Sequence, residues 1–375
     1  MRALLLAAVV LLAGCAEQSE TPWRGRILVM GTVVELSLYG LTDDEAQALG
    51  QRIEADLQRL HDRLHPWQGN GELRRVNAAL RDGQPVAASA GLAALLRHAQ
   101  TLTRASDGLF DPAIAPLIRL WGFHQETTPA QPPPPGELRA WRARRASLDE
   151  LRFDPTSASD ACVENAGPRT AETQDSRPGA APAEECAGTR LLPPAQGLEL
   201  DLGAFAKGYA VDRAVEAARR AGARAAIVNA GGDLCTLGRP AKRDWRIGIR
   251  HPRESGVLAA VRLQPGECIF TSGDYERYFQ HQGRRYHHLL DPRSGEPARG
   301  AQSLTVITEQ GTLADAAATA LFVAGPTQWP RLAARLGIER VLLMDNQGRA
   351  RLSPAMAERL RFEREPAAVL QVSIP

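Results

Sequence analysis

The sequence predicts an α+β fold in which mostly antiparallel sheets are flanked by helices, and two observations carry that expectation. Short β-branched segments at Ala225–Val228, Trp245–Arg250, Val257–Leu263, Arg285–Leu290 and Ser303–Thr308 follow one another, separated by hairpin-length turns. Helical periodicity is confined to segments grouped around those strands. With 375 residues the chain is long enough to bury a substantial core, and residues 25–375 are expected to form a single domain.

Taken in order, Gly25 to Tyr39 (GRILVMGTVVELSLY) reads as strand, interrupted by a turn-like step at Met30-Gly31-Thr32. Asp43 to His65 reads as an amphipathic helix. Ala46, Leu49, Ile53, Leu57, Leu60 and Leu64 recur at three- or four-residue steps, and Asp43 is placed to cap it. A second helix runs from Ala90 to Arg104. Pro112 and Pro116 rule out a long regular helix through DGLFDPAIAPLIRLWGF, residues 107–123. From Ser157 to Gly197 the composition turns to Ala, Pro, Glu, Thr and Gly with few large apolar residues, so this insertion is expected to be a disordered or disulfide-stapled surface loop. Beyond it, Gly208–Ala221, Thr312–Val323 and Pro326–Leu336 read as helices.

The first residues, MRALLLAAVVLLAGCAEQ, place Arg2 ahead of an apolar run from Ala3 to Ala13. That run is shorter than the roughly 20 residues a permanent span needs, so it reads as an export signal. Leu12-Ala13-Gly14-Cys15 resembles the bacterial lipoprotein cleavage box. Residues 1–15 are therefore expected to be a lipoprotein signal peptide with Cys15 as the lipidated residue, and 16–24 a linker. A plain signal peptide with an incidental cysteine is the simpler alternative. The lipoprotein reading predicts an exported protein held at the inner membrane and facing the periplasm. Such a compartment permits disulfides, and Cys162, Cys186, Cys235 and Cys268 allow three pairings. Cys162 with Cys186 is preferred, because both lie in the insertion. Charges are interspersed, with 45 basic against 43 acidic side chains, which excludes nucleic acid as the main partner.

Four segments bear candidate chemistry. In LADAAATALF, Asp315 and Thr319 are four residues apart and share one helical face, giving oxygen ligands for a hard cation such as Mg2+, or merely a solvated stripe. In LDLGAFAKGYAVD, Gly203 and Gly208 bracket Lys207 and permit close backbone approach to a phosphate or a metal, or a simple strand-to-helix turn capped by Asp201. The adjacent glycines of VNAGGD leave room for a planar ligand or make an ordinary hairpin turn. In TSGDYERYFQHQGRRYHHLLDP, residues 271–292, polar and aromatic side chains crowd together, and the Gln280–Arg284 tip reads as a solvated turn.

The ordered series MGTVVEL, GLFDPAIAPLIRLWGF, LDLGAFAKGYAVD, VNAGGD, TSGDYERYF, HHLLDPRSGEP and LADAAATALF closely resembles the ApbE family of flavin transferases. The resemblance runs from Met30 to about Val323 and implies an ApbE-like, T-fold-related architecture. It also implies a Mg2+-dependent enzyme that takes FAD as substrate and transfers its FMN moiety to a threonine hydroxyl of an acceptor protein, releasing AMP. That acceptor would be a subunit of a redox-driven membrane complex or a similar flavoprotein. Matched by motif, Met30, Phe110, Asp111, Asp201, Lys207, Gly231, Thr271 and His288 would line the FAD site. The main-chain oxygen of Ala204, with Asp315 and Thr319, would hold the metal, and His288 would be the base. The alternatives are a Mg2+-dependent FAD pyrophosphatase giving FMN and AMP, and a non-catalytic FAD-binding lipoprotein. Ala204 stands where the family commonly has glycine.

Overall fold

The computed structural model describes residues 21–125, 127, 131–155, 188–240 and 244–375. Nine strands form its main sheet: β1 (Trp23–Val29), β2 (Thr32–Tyr39), β3 (Ala225–Ala230), β4 (Asp233–Leu237), β5 (Cys268–Gly273), β6 (Ala301–Thr308), β7 (Arg340–Asp345), β8 (Arg349–Leu352) and β9 (Ala368–Gln371). They lie side by side in chain order. Every neighbouring pair is antiparallel except β8 with β9. The expected α+β architecture of mostly antiparallel sheet is therefore observed.

Strand alternation sorts side chains between two cores. Phe270, Leu304, Val306, Val341 and Leu343 face a helical layer. Ile269, Ile307, Leu342 and Met344 face a smaller sheet formed by Trp245–Arg250, Val257–Leu263 and Leu360–Phe362. The helical layer contains α1 (Asp43–Leu64), α2 (Gly203–Arg220) and α3 (Gly311–Leu336). The six apolar positions read from the sequence of α1 are all buried.

Several boundaries differ from expectation for identifiable reasons. Thr42, not Asp43, caps α1: its hydroxyl accepts from Glu45 N while Glu45 Oε2 accepts from Thr42 N, a reciprocal capping box. Helix α2 starts at Gly203, five residues early, and Ala204 within it has non-helical dihedrals (φ −85°, ψ 18°). Gly325 (φ 70°) breaks α3 where two separate helices were expected. The strand expected over Arg285–Leu290 spans Arg284–His287. Within the 157–197 insertion, Thr189–Leu192 is a strand that pairs with Val86–Ala88 and Arg152–Pro155, because Leu191 has a core position to fill. Cys162, Cys186 and their preferred pairing lie outside the described residues, as does Cys15. The observed disulfide joins Cys235 to Cys268, directly opposed residues of β4 and β5.

Two glycines decide where the helices meet. A Cβ on Gly208 would stand 2.2 Å from Gly311 O, and one on Gly311 would stand 3.0 Å from Gly208 O. Only bare backbone permits that approach. It brings the second turn of α2 against the start of α3, and so Lys207 to within 3.9 Å of Asp315.

Candidate functional site

A cleft of about 760 Å3 opens at one end of the main sheet. That volume lies in the range of ligand and cofactor sites. All eleven cleft residues expected from the sequence line it: Met30, Phe110, Asp111, Asp201, Ala204, Lys207, Gly231, Thr271, His288, Asp315 and Thr319.

Two tight turns form one rim. Met30 and Gly31 join β1 to β2 with positive φ at both residues (55° and 69°), the pattern of a two-residue hairpin turn that follows strand twist. A methionine in that region is strained, and such strain is found at ligand-facing positions. Gly231 and Gly232, with φ of 69° and 105°, join β3 to β4, and Asn229 Oδ1 accepts from Gly232 N at 2.8 Å. The turn delivers Asp233 into the cleft wall.

Beside this rim, charged groups converge. Asp315 Oδ2 accepts from Gly208 N at 2.9 Å, leaving Oδ1 to face Lys207 Nζ at 3.9 Å. Lys207 instead hydrogen-bonds Asp233 Oδ2, while Asp233 Oδ1 accepts from Thr271 N at 2.9 Å. Burial raises the Asp315 pKa to about 6, with nearby Asp233 adding to it and Lys207 opposing. Burial disfavours the Lys207 charge, but Asp233 and Asp315 outweigh it and hold the ammonium above the usual lysine value. Thr319, one turn after Asp315, places its Oγ1 3.4 Å from Ser272 Oγ.

The all-oxygen donor set fits a hard cation. Gly208 N–H is bonded to Asp315, Ala204 in the turn before it has non-helical dihedrals, and Ala204, Asp315 and Thr319 line the same cleft. Ala in place of glycine at 204 is accommodated, since its φ is negative.

His288 stands across the same cleft. Its Nδ1 lies 3.3 Å from Arg277 O, and a carbonyl only accepts, so Nδ1 carries the proton and Nε2 keeps its lone pair. Burial, then His287, Arg277 and Lys207, push its pKa down to about 3, although the ring edge remains open to the cleft. Asp291 accepts from Arg293 N and pairs with the Arg293 guanidinium, so it caps the turn after His288.

Other expected residues are held by protein partners. Asp201 Oδ1 accepts from Gly203 N at 2.7 Å, and Oδ2 accepts from Trp67 Nε1 at 3.1 Å. Asp111 Oδ1 accepts from Ala113 N and Leu148 N, fixing the GLFDP turn, while Phe110 packs on Phe205. Sequence reasoning missed Trp67 and His124, whose rings lie 5.1 Å apart in the cleft, and it missed Asp233. Asp233 had a local signal, an acid following two turn glycines at a strand start. Trp67 had none, because chain folding alone carries it to Asp201, 134 residues on.

Fold and cleft together define an α+β protein with a large-ligand cleft built on a mostly antiparallel sheet. A family model described as "ApbE family" matches residues 30–342, a span that contains every cleft residue named above. The chain belongs to the ApbE family. A Rhodobacter capsulatus protein named FAD:protein FMN transferase is 37% identical over 98% of this chain and 63% of its own length, so the chain spans less than two thirds of that relative. A Klebsiella pneumoniae protein of the same name is 31% identical over 89% of this chain and 92% of its own. Among solved structures, the ApbE protein of Thermotoga maritima superposes with a TM-score of 0.75 at 27% identity, covering 92% of this chain and 100% of that one. The apo flavinyl transferase ApbE of Pseudomonas stutzeri gives 0.69 at 29% identity, covering 88% and 92%.

Proposed function

We propose that the chain is an FAD:protein FMN transferase that moves the FMN moiety of FAD onto a threonine hydroxyl of an acceptor protein. The observation that carries this reading is the placement of the His288 ring, its Nδ1 turned to Arg277 O, in the same cleft as the oxygen donors Ala204, Asp315 and Thr319. Relatives bearing that enzyme name support it.

The threonine oxygen attacks the phosphorus on the FMN side of the pyrophosphate. His288 Nε2 takes the hydroxyl proton as the new P–O bond forms. The bridging P–O bond breaks, and AMP leaves with the electron pair. Phosphate charge arriving beside His288 raises its basicity from the low value of the empty cleft. Lys207 is available to the phosphates. Mg2+, held by Ala204 O, Asp315 and Thr319, would screen the pyrophosphate and stabilise the leaving group. FAD would lie along the cleft between the Met30 and Gly231 turns, Phe110, Asp201 and Thr271.

The enzyme is further proposed to be an exported lipoprotein, lipidated at Cys15 and facing the periplasm from the inner membrane, where a redox-complex subunit would be its acceptor. The Cys235–Cys268 disulfide supports an oxidising compartment. The test incubates the protein with FAD, Mg2+ and a candidate periplasmic redox subunit or its Thr→Ala variant. FMN-sized mass gain on the wild-type acceptor alone supports the reading. An unmodified acceptor with unchanged FAD would point to a flavin-binding protein instead.

A further inference from the structure

We propose that Asp233 is a positioning residue that keeps the Lys207 ammonium off the cation seat at Asp315, an inference that rests on the cation-dependent reading above. Asp315 has one committed oxygen and one open one. Oδ2 already accepts from Gly208 N–H, so Oδ1 is the oxygen with no hydrogen bond of its own to offer a cation. Lys207 Nζ faces that same Oδ1 from 3.9 Å, beyond hydrogen-bonding distance. Ammonium and cation therefore compete for one atom. With no other claim on it, an ammonium so near a buried carboxylate would close the gap into a direct ion pair, because attraction between opposite charges is strong where water is scarce.

Asp233 supplies the other claim. It hydrogen-bonds Lys207 through Oδ2 and is itself fixed through Oδ1 by the backbone N–H of Thr271 on β5. The Gly231-Gly232 turn, locked by Asn229, sets where Asp233 enters β4. The lysine charge is thus retained in the cleft, near incoming phosphates, while Asp315 Oδ1 stays open. No bond is made or broken in this role. It concerns only which carboxylate the ammonium occupies.

Asp233→Asn is a mild probe, since its carboxamide oxygen still accepts from Thr271 N. Mg2+ binding to the FAD-free, full-length protein is measured by titration calorimetry for wild type, D233N, K207M and the double variant, alongside a crystal structure of D233N. The proposal expects D233N to bind Mg2+ at least tenfold more weakly, with Lys207 Nζ moved into hydrogen-bonding distance of Asp315. It expects K207M to bind no more weakly than wild type, and K207M to restore D233N to near the K207M affinity. Unchanged affinity in D233N overturns it. So does weaker binding with the ammonium still apart from Asp315, which would mean that only the charge of Asp233 matters. A wild-type protein that binds no Mg2+ would instead remove the cation reading itself, and this inference with it.

Discussion

Nδ1 of His288 lies 3.3 Å from the carbonyl oxygen of Arg277, which also accepts the His288 backbone N–H at 3.0 Å. One acceptor thus fixes both the backbone and the tautomer of the residue assigned as base. His288→Ala is expected to lower FMN transfer by about 10²–10⁴, the usual worth of a general base. FAD binding, followed by flavin fluorescence, should change far less. Equal losses in binding and transfer would reduce His288 to a wall of the cleft.

Asp315 makes cation binding pH-dependent. Its folded pKa of about 6 lies above its ordinary value of 3.8, so the folded protein holds the extra proton between those limits. Mg2+ needs the carboxylate, and its affinity should fall as pH drops below 6. In the cation-free protein the same shift makes stability decline as pH rises from 3.8 through 6. His287 and His288, depressed from 6.5 to about 4 and about 3, act in the opposite sense: their contribution is complete above 6.5 and is lost as pH falls. Melting curves with and without Mg2+ isolate the Asp315 part, as stabilisation by the ion that grows from pH 5 to pH 7. Mg2+ stabilisation that is flat across this range would contradict the assignment.

Asp212 holds the start of α3. It accepts from Gly311 N at 2.7 Å, Thr312 N at 2.8 Å and the Thr312 hydroxyl. Asp212→Ala should cost about 1–3 kcal/mol in denaturant unfolding, the range for a lost cap with a partly buried donor. Because Asp315 lies one turn further on, Mg2+ affinity should fall as well. A fully stable variant would show that the helix start is held by packing alone.

The Cys235–Cys268 bridge closes a separation of 33 residues. Chain-entropy reasoning assigns such a loop about 3–4 kcal/mol. Reductant, or paired Cys235→Ala and Cys268→Ala substitutions, should lower the unfolding midpoint in denaturant. No change would mean that the thiols are reduced in the working protein.

Much of this was legible in the sequence wherever signals were local. The α1 stripe from Ala46 to Leu64 repeats its own period, and Thr42-Asp43-Asp44-Glu45 contains a capping box that was readable but assigned one residue late. Asp315 and Thr319 share a face by spacing alone. The relationships missed are those made by the fold. Trp67 meets Asp201 and Lys207 meets Asp233 only in the fold, and Gly208 and Gly311 bring Lys207 beside Asp315 by letting two helices touch. No window of sequence contains that contact. Leu191 was missed for a different reason: one buried leucine lies at the end of a stretch otherwise poor in apolar residues.

The central claim is transfer, not hydrolysis, and one measurement separates them. FAD, Mg2+ and a threonine-bearing acceptor are combined with the wild-type protein, and AMP, free FMN and flavinylated acceptor are quantified over one time course. Transfer predicts AMP and modified acceptor rising together in a one-to-one ratio, with little free FMN and no product when Mg2+ is chelated. AMP and free FMN rising together beside an unmodified acceptor would contradict it and make the protein an FAD pyrophosphatase.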